Sequence, residues 1–327
     1  MTDNPVIAVV KRGSTVESRH RGAFAVSDRS GRIVRQAGDI KSPVFPRSAI
    51  KAFQCLPLIE SGAAARYGLT DEEIALCCSS HNGEPEHLRV AASILAKAGN
   101  SEALYECGVH WPHERKDVIG LALAGEEPRA IHNNCSGKHA GMLALARQLG
   151  SDPNGYVLQD HPVQQAVAEA INRYCDVNVA EAPVGIDGCS VPTWAFPLRN
   201  MALGFARLTD PANAGAQWII RAARAHPFMI AGSNRYDTTI MQQVPRLFIK
   251  VGAEGVYCGS IAHAGLGFAL KCDDGSFRAA EAAVSEMLLA LDVWTADERK
   301  ALTSHAHTTL TNWRGIDVGS VDAAVGG

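Results

Sequence analysis

Ser48 and Lys51, in the stretch FPRSAIKAFQ, stand three residues apart at the head of a run that reads as a helix. Residues three apart on a helix share a face, so a hydroxyl and an amine at this spacing can touch. A serine hydroxyl becomes a useful nucleophile when a neighbouring base takes its proton. Lysine is such a base only when neutral. Its reference pKa is about 10.4, so burial or a nearby cation must lower it by roughly three units, at a cost of about 4 kcal/mol. A protein sustains that cost at a functional site and rarely elsewhere. Taken alone, the motif also describes an exposed lysine beside a helix-capping serine, which is the commoner case.

Two further signals follow along the chain. Ser80 lies in CCSSHNGE, where an apolar segment runs into a tight polar turn. Such turns display reactive serines, and they also simply use serine to cap. Lys250 closes the strand-like RLFIK and is followed by Val251 and Gly252. It can lean over a cleft or lie solvated at a strand end. Each signal is weak alone, but their order is informative. S-x-x-K, then S-x-N, then K-x-G resembles serine β-lactamases and penicillin-binding proteins, in which these groups meet in one cleft. Two departures are visible: KVG lacks the hydroxyl residue of K-T-G, and the interval from Ser48 to Ser80 is compressed.

The elements that must position these residues are legible in outline. PVIAVVKRG and GAFAVSDRSGRIVRQAGD read as strands with a turn at Ser30-Gly31. SAIKAFQCLPLIESG carries Ile50, Phe53, Leu56 and Ile59 at helical intervals. EPEHLRVAASILAKAG, GKHAGMLALARQLG, HPVQQAVAEAINRYCD and GAQWIIRAARAHP read as further helices. RLFIKVG, GVYCGSIAH and GLGFALKCDDGS return to strands, and FRAAEAAVSEMLLALD is a late helix. The expected fold is α/β of the α+β kind, serine β-lactamase/penicillin-binding-protein-like. An antiparallel sheet built from both termini (about 5–40 and 245–275) would pack with helices and carry a helical middle subdomain at roughly 50–240. Residues 1–327 are expected to form a single catalytic domain.

Composition excludes several classes. The chain has 327 residues, 46% hydrophobic, with formal net charge −3. No basic surplus points to nucleic acid, and no apolar run is long enough to span a membrane. MTDNPVIAVV has neither a basic n-region nor an apolar h-region. Nine scattered cysteines, an odd number, then suggest reduced thiols in a cytoplasmic protein rather than a disulfide framework.

Two cysteine segments remain. HNNCSGKHAGMLA places Cys135, Lys138 and His139 around a glycine at a helix start, and GIDGCSVPTWAFPL places Asp187 and Cys189 in a Gly/Pro-rich loop. Two thiols with a nearby amine, imidazole or carboxylate can hold zinc. They can equally be buried thiols, or Cys135 or Cys189 can be the nucleophile of a cysteine hydrolase.

RSAIK, SSHNGE, NNCSGKHAGMLA, DHPVQQ, GIDGCSVPTWAFPL and AHPFMIAG together resemble the asparaginase II family, the rhizobial-type L-asparaginases. The resemblance runs from about residue 8 to the C-terminus. It implies a homodimeric amidohydrolase that converts L-asparagine and water to L-aspartate and ammonia, with a fold shared with serine β-lactamases and glutaminases. It implies two Ser–Lys tandems, Ser48 with Lys51 and Ser80 with Lys250. It implies one zinc per chain on Cys135, Lys138 and Cys189, with a structural or substrate-affinity role rather than that of a Lewis acid. Arg47, His139 and Asp187 are assigned to substrate binding, with a surface salt bridge as the other reading of Arg47 and support of the zinc ligands as the other reading of Asp187. Helix placement favours Ser48 as nucleophile, and Ser80 is the alternative. Three other readings stay open: an acyl hydrolase of β-lactamase or glutaminase type on another amide, a zinc-binding structural protein with incidental Ser–Lys pairs, and the cysteine hydrolase.

Overall fold

The computed structural model describes residues 4–325. Its main sheet has eight strands: β1 (Val6–Arg12), β2 (Thr15–Asp28), β3 (Ile33–Ala37), β4 (Leu247–Gly252), β5 (Val256–Ile261), β6 (Leu266–Cys272), β7 (His307–Thr311) and β8 (Asp317–Ala323). The spatial order is β7-β8-β1-β2-β6-β5-β4, with β3 beside β2. Every pairing is antiparallel. Helices occupy most of the chain between β3 and β4, so a sheet drawn from both ends does flank a helical middle.

β2 organises the sheet. Its first half, Thr15–Arg21, pairs with β1, and its second half, Gly22–Asp28, pairs with β6. Exposed and part-buried residues alternate along the first half, whereas Gly22–Ser27 is buried throughout. An alternating strand faces water on one side, and a continuous apolar run is covered on both. The sheet therefore consists of two half-sheets joined along one strand.

Several elements lie outside the sequence expectation. β7 and β8 add a terminal hairpin beyond 245–275, and helices form at Arg115–Ala124 and Ala296–Ala306. The expected turn at Ser30-Gly31 is present, with Gly31 at φ +90° and its N–H bonded to the Asp28 carbonyl at 3.1 Å. Among the described residues, no helix is long and apolar enough to cross a membrane. All nine cysteines are free and buried.

Ser48 and Lys51 do not lie on one regular helix. Arg47–Ile50 is a single 3₁₀ turn, and the α-helix begins at Lys51 and runs to Glu60. Phe53 of that helix packs edge-on against Phe205 of helix Leu198–Arg207, with ring centroids 4.9 Å apart, and Phe205 meets Phe248 of β4 at 6.2 Å. This chain of aromatic rings fixes the Lys51 helix against the strand that carries Lys250. Truncating a buried phenylalanine of this kind costs about 3–5 kcal/mol. A second contact sets the distance more closely. A Cβ on Gly252 would lie 2.4 Å from the Pro46 carbonyl oxygen, so only glycine lets β4 approach the 3₁₀ turn that closely.

Candidate active site

Ser80 is positioned by the end of one helix and the start of another. Helix Asp71–Cys77 opens with a capping box, in which Glu73 accepts from the Thr70 N–H at 2.7 Å and donates its own N–H to the Thr70 hydroxyl. Helix Ser136–Leu149 lies directly against it. A Cβ on Gly137 would sit 2.5 Å from the Leu76 carbonyl oxygen, and one on Gly141 would sit 2.8 Å from Cys77 Sγ. Glycines four apart thus allow the two backbones to close, which brings Cys135 and Lys138 beside the Ser79–Ser80 turn. The turn itself is tied down. Ser80 N–H donates to the Ile230 carbonyl at 2.9 Å, and His81 N–H donates to the Asn134 carbonyl at 3.1 Å. Gly83 N–H donates to His81 Nδ1 at 3.0 Å. The His81 proton therefore sits on Nε2 and is donated to Ser136 Oγ, also at 3.0 Å.

Two buried lysines converge on one hydroxyl. Lys51 Nζ lies 2.9 Å from Ser80 Oγ, and Lys250 Nζ lies 3.0 Å from the same atom. Lys51 also donates to the Ser79 carbonyl and approaches Cys135 Sγ at 3.0 Å. Lys250 donates to the Val251 carbonyl at 2.6 Å. Both lysines are buried. Burial pushes Lys250 down to about 7, opposed by Asp237 and reinforced by the neighbouring charge of Lys51. A lysine of that pKa is substantially neutral near pH 7, so it can accept a proton. Ser48 stands differently. It is half-buried, and among the described residues its hydroxyl makes no hydrogen bond to Lys51. The Lys51 nitrogen that the S-x-x-K spacing aims at Ser48 rests on Ser80 instead.

Arg47, immediately before Ser48, has φ +51°, and Ser190 has φ +75°. Side-chain-bearing residues in this region carry strain of order 1–3 kcal/mol, which clusters at functional sites. Arg47 Nε and Nη2 both meet Asp187 Oδ1 at 2.7 Å, so the two expected substrate-binding groups hold each other at the rim. Burial raises the Asp187 carboxyl, but Lys138 and Arg47 outweigh it and hold the group below its ordinary value. A cavity of about 520 Å³ opens beside Arg47, lined among others by Phe45, Ile186, Thr193, Glu254 and Lys271; it does not reach Ser80.

Cys135, Lys138 and Cys189 come together as the spacing could not establish. Lys138 Nζ lies 3.0 Å from Cys189 Sγ, and Cys135 Sγ lies 3.0 Å from Lys51 Nζ and 3.1 Å from Asn134 Oδ1. The neighbouring Cys189 thiol lowers Cys135 well below the ordinary thiol value, against burial and with help from Lys51 and Lys138. Cys135 and burial in turn push Cys189 upward. Burial disfavours the Lys138 ammonium, but the Cys189 and Cys135 sulfurs reverse the outcome and raise it to about 12. Two soft sulfurs and an amine, all buried, form a donor set that fits zinc.

His139 does not join the site. It is fully buried and bonded through Nδ1 to the Tyr156 hydroxyl at 2.7 Å. Asp237, conversely, was not singled out from the sequence. Its buried Oδ2 accepts the Val251 N–H at 2.9 Å and so fixes the strand beside Lys250. NRYDTT contains no motif that marks it.

The sequence profile of the L-asparaginase II family matches residues 8–323. The chain belongs to that family, and membership supports an amidohydrolase. No curated protein matches the sequence. Among solved structures, it is similar to a β-lactamase from Mycobacterium bovis at 13% identity and TM-score 0.42, covering 87% of this chain and 94% of the other. It is also similar to a D-alanine carboxypeptidase from Burkholderia cenocepacia at 12% identity and TM-score 0.37, with coverages of 87% and 92%. A simvastatin synthase from Aspergillus terreus follows at 9% identity and TM-score 0.32, with coverages of 77% and 86%.

Proposed function

We propose that this member of the L-asparaginase II family hydrolyses L-asparagine to L-aspartate and ammonia through an acyl-enzyme formed on Ser48. The observation that carries the reading is the Ser80 hydroxyl held between two buried lysines. These three groups form a proton wire. Neutral Lys250 accepts the Ser80 proton, Ser80 accepts a proton from Lys51, and Lys51 is left able to accept the Ser48 proton. Ser48 Oγ then bonds to the side-chain amide carbon of the substrate. Collapse of the tetrahedral adduct breaks the C–N bond, and the proton returns along the wire to the departing ammonia. A water molecule gives its proton to the same wire and attacks the ester, which releases aspartate and restores Ser48.

Ser48 suits the nucleophile's role because it is half-buried and open to a substrate, whereas Ser80 is buried at 5% exposure. In this reading Arg47 binds the substrate carboxylate and Asp187 its ammonium, once the substrate opens their ion pair. Cys135, Lys138 and Cys189 would hold one zinc ion. Bound there, it would order the two cysteine segments and raise affinity for the charged ends of the substrate. The same reading includes a homodimer, to be checked by sedimentation.

A second reading makes Ser80 the nucleophile, because Lys51 Nζ bonds to Ser80 and not to Ser48. One experiment separates the two. Ammonia release from L-asparagine, L-glutamine and nitrocefin turnover are measured for wild type, Ser48→Ala and Ser80→Ala, with mass spectrometry of the quenched enzyme. The proposal expects ammonia from L-asparagine and an aspartyl adduct on Ser48. An adduct on Ser80 reverses the roles. Nitrocefin turnover without ammonia release moves the enzyme to another acyl substrate.

A further inference from the structure

The seam of the sheet holds a cluster that the proposed chemistry does not use. His20, Cys272 and Asp274 each offer one ligand atom, and these atoms lie within 4.8 Å of one another. His20 Nδ1 meets Asp274 Oδ2 at 2.6 Å, and Cys272 Sγ meets Asp274 Oδ1 at 3.0 Å. His20 is 7% exposed and Cys272 is fully buried, while the Asp274 side chain is half exposed. His20 Nε2 is buried and has no hydrogen-bond partner. Nδ1 is the ring nitrogen that faces the carboxylate, and a buried thiol, an imidazole nitrogen and a carboxylate gathered this closely form a ligand set for a metal ion, while Nε2 is free to carry the imidazole proton.

We propose that His20, Cys272 and Asp274 bind a zinc-class divalent cation, distinct from any ion held by Cys135, Lys138 and Cys189. Thiolate, imidazole and carboxylate are the three protein ligand types that zinc takes. With metal–ligand bonds of about 2.0–2.3 Å, tetrahedral ligand atoms stand roughly 3.3–3.6 Å apart. The cluster therefore needs to widen its two hydrogen bonds, now 2.6 and 3.0 Å, by roughly 0.3–1 Å. On binding, the Cys272 S–H proton leaves to solvent and sulfur donates its electron pair to the metal. The imidazole stays neutral, with its proton on the nitrogen turned away. The two anionic ligands balance the dication, and water completes the fourth position from the exposed Asp274 side. The adjacent Lys271 does not oppose this charge, since its ammonium is turned to the backbone carbonyls of Glu254, Cys272 and Asp273.

The position gives the ion a role. His20 pairs with Ala8 of β1, in one half-sheet, and Cys272 pairs with Gly22, in the other. A metal here staples the two halves at the point where β2 changes partners.

The test counts zinc. The full-length reduced chain is equilibrated with Zn²⁺, separated from free ion and analysed by plasma mass spectrometry. The Cys135→Ser/Cys189→Ser background isolates the proposed site, and His20→Gln, Cys272→Ser and Asp274→Asn are introduced into it. The expected result is one zinc per chain in the background, none with His20→Gln or Cys272→Ser, and affinity weakened on the order of tenfold or more with Asp274→Asn. Cobalt should give a thiolate charge-transfer band that Cys272→Ser abolishes. No zinc in the background, or zinc unchanged by Cys272→Ser and Asp274→Asn, leaves the triad as a hydrogen-bonded cluster only and overturns the proposal. If the background fails to fold, the same single variants are compared with wild type. One zinc fewer per chain then supports the site, and equal counts refute it.

Discussion

Lys250 and Lys138 are the same residue type, equally withdrawn from water, yet one ends near neutrality and the other far above it. Lys250 faces a hydroxyl and a backbone carbonyl, and burial takes it to about 7. Lys138 faces Cys189 Sγ at hydrogen-bond distance with Cys135 close by, and the two sulfurs overcome the same burial to bring it to about 12. A counter-charge near 4 Å is worth about 4 kcal/mol at an effective dielectric of 20, or roughly three pKa units. Burial alone therefore does not make a lysine a base. Burial without an anion at hydrogen-bond distance does. Lys51 touches both environments, Ser80 on one side and Cys135 on the other, so the two halves of the site share an atom.

The sharpest way to break this contrast is at the shared chemistry. Ser48→Ala or Lys51→Ala should lower ammonia release from L-asparagine by about 10⁴-fold or more, with folding retained by circular dichroism. Either variant retaining more than a few per cent of activity would remove it from the proposed wire. Next comes the lysine that burial has neutralised. Lys250→Met should cost about 10²–10⁴-fold in kcat. Its pH dependence carries a sign. Lys250 works when neutral and its value lies near 7, so kcat/KM should rise as pH climbs through about 7 and fall below it. Lys250→Arg stays charged throughout and should abolish both the activity and that limb. A surviving limb in Lys250→Arg would assign the titration to another group.

The opposite lysine gives smaller effects. Zinc displaces the proton from Lys138 and from a thiol, so measured zinc affinity should rise from pH 6 to pH 8. A flat profile would argue against Lys138 as a ligand. Cys189→Ser should release zinc and raise KM by roughly tenfold while kcat changes little, the pattern of lost uniform binding. Smallest of all, Asp187→Asn should free Arg47 and alter KM by only about threefold to tenfold, since a part-exposed charge pair at a rim contributes modestly.

The sequence carried the sheet-and-helix plan and the members of both clusters, but not their pairing. Spacing predicts contacts within one element. Ser48 and Lys51 straddle a 3₁₀ to α junction, so the three-residue rule of a regular helix did not hold there. Ser80 and Cys135 reach Lys51 only through tertiary packing. His139 follows Lys138 directly, yet one residue turns a helix by about 100°, which sends it to Tyr156 instead of to Cys189. β7 and β8 escaped notice because HTTLT and DVGSVDA are largely polar or part-exposed and show no clean apolar alternation. Asp237 left no local trace, because a buried carboxylate that accepts one backbone N–H is defined by its partner alone.

The division of β2 also sets a timetable. During synthesis β1 and β2 leave the ribosome together and can form a hairpin at once. The second half of β2 pairs with β6, which begins only at Leu266, and β1 gains its other neighbour only at β8. At about 5–20 residues per second, the buried half of β2 waits tens of seconds for that partner. Over that interval the segment Gly22–Ser27 has no sheet partner from the far end of the chain, and Lys250 is made only toward its close. Lys250 is therefore added late, and a chain halted before β4 would carry Ser48, Lys51 and Ser80 without the second lysine that meets the Ser80 hydroxyl.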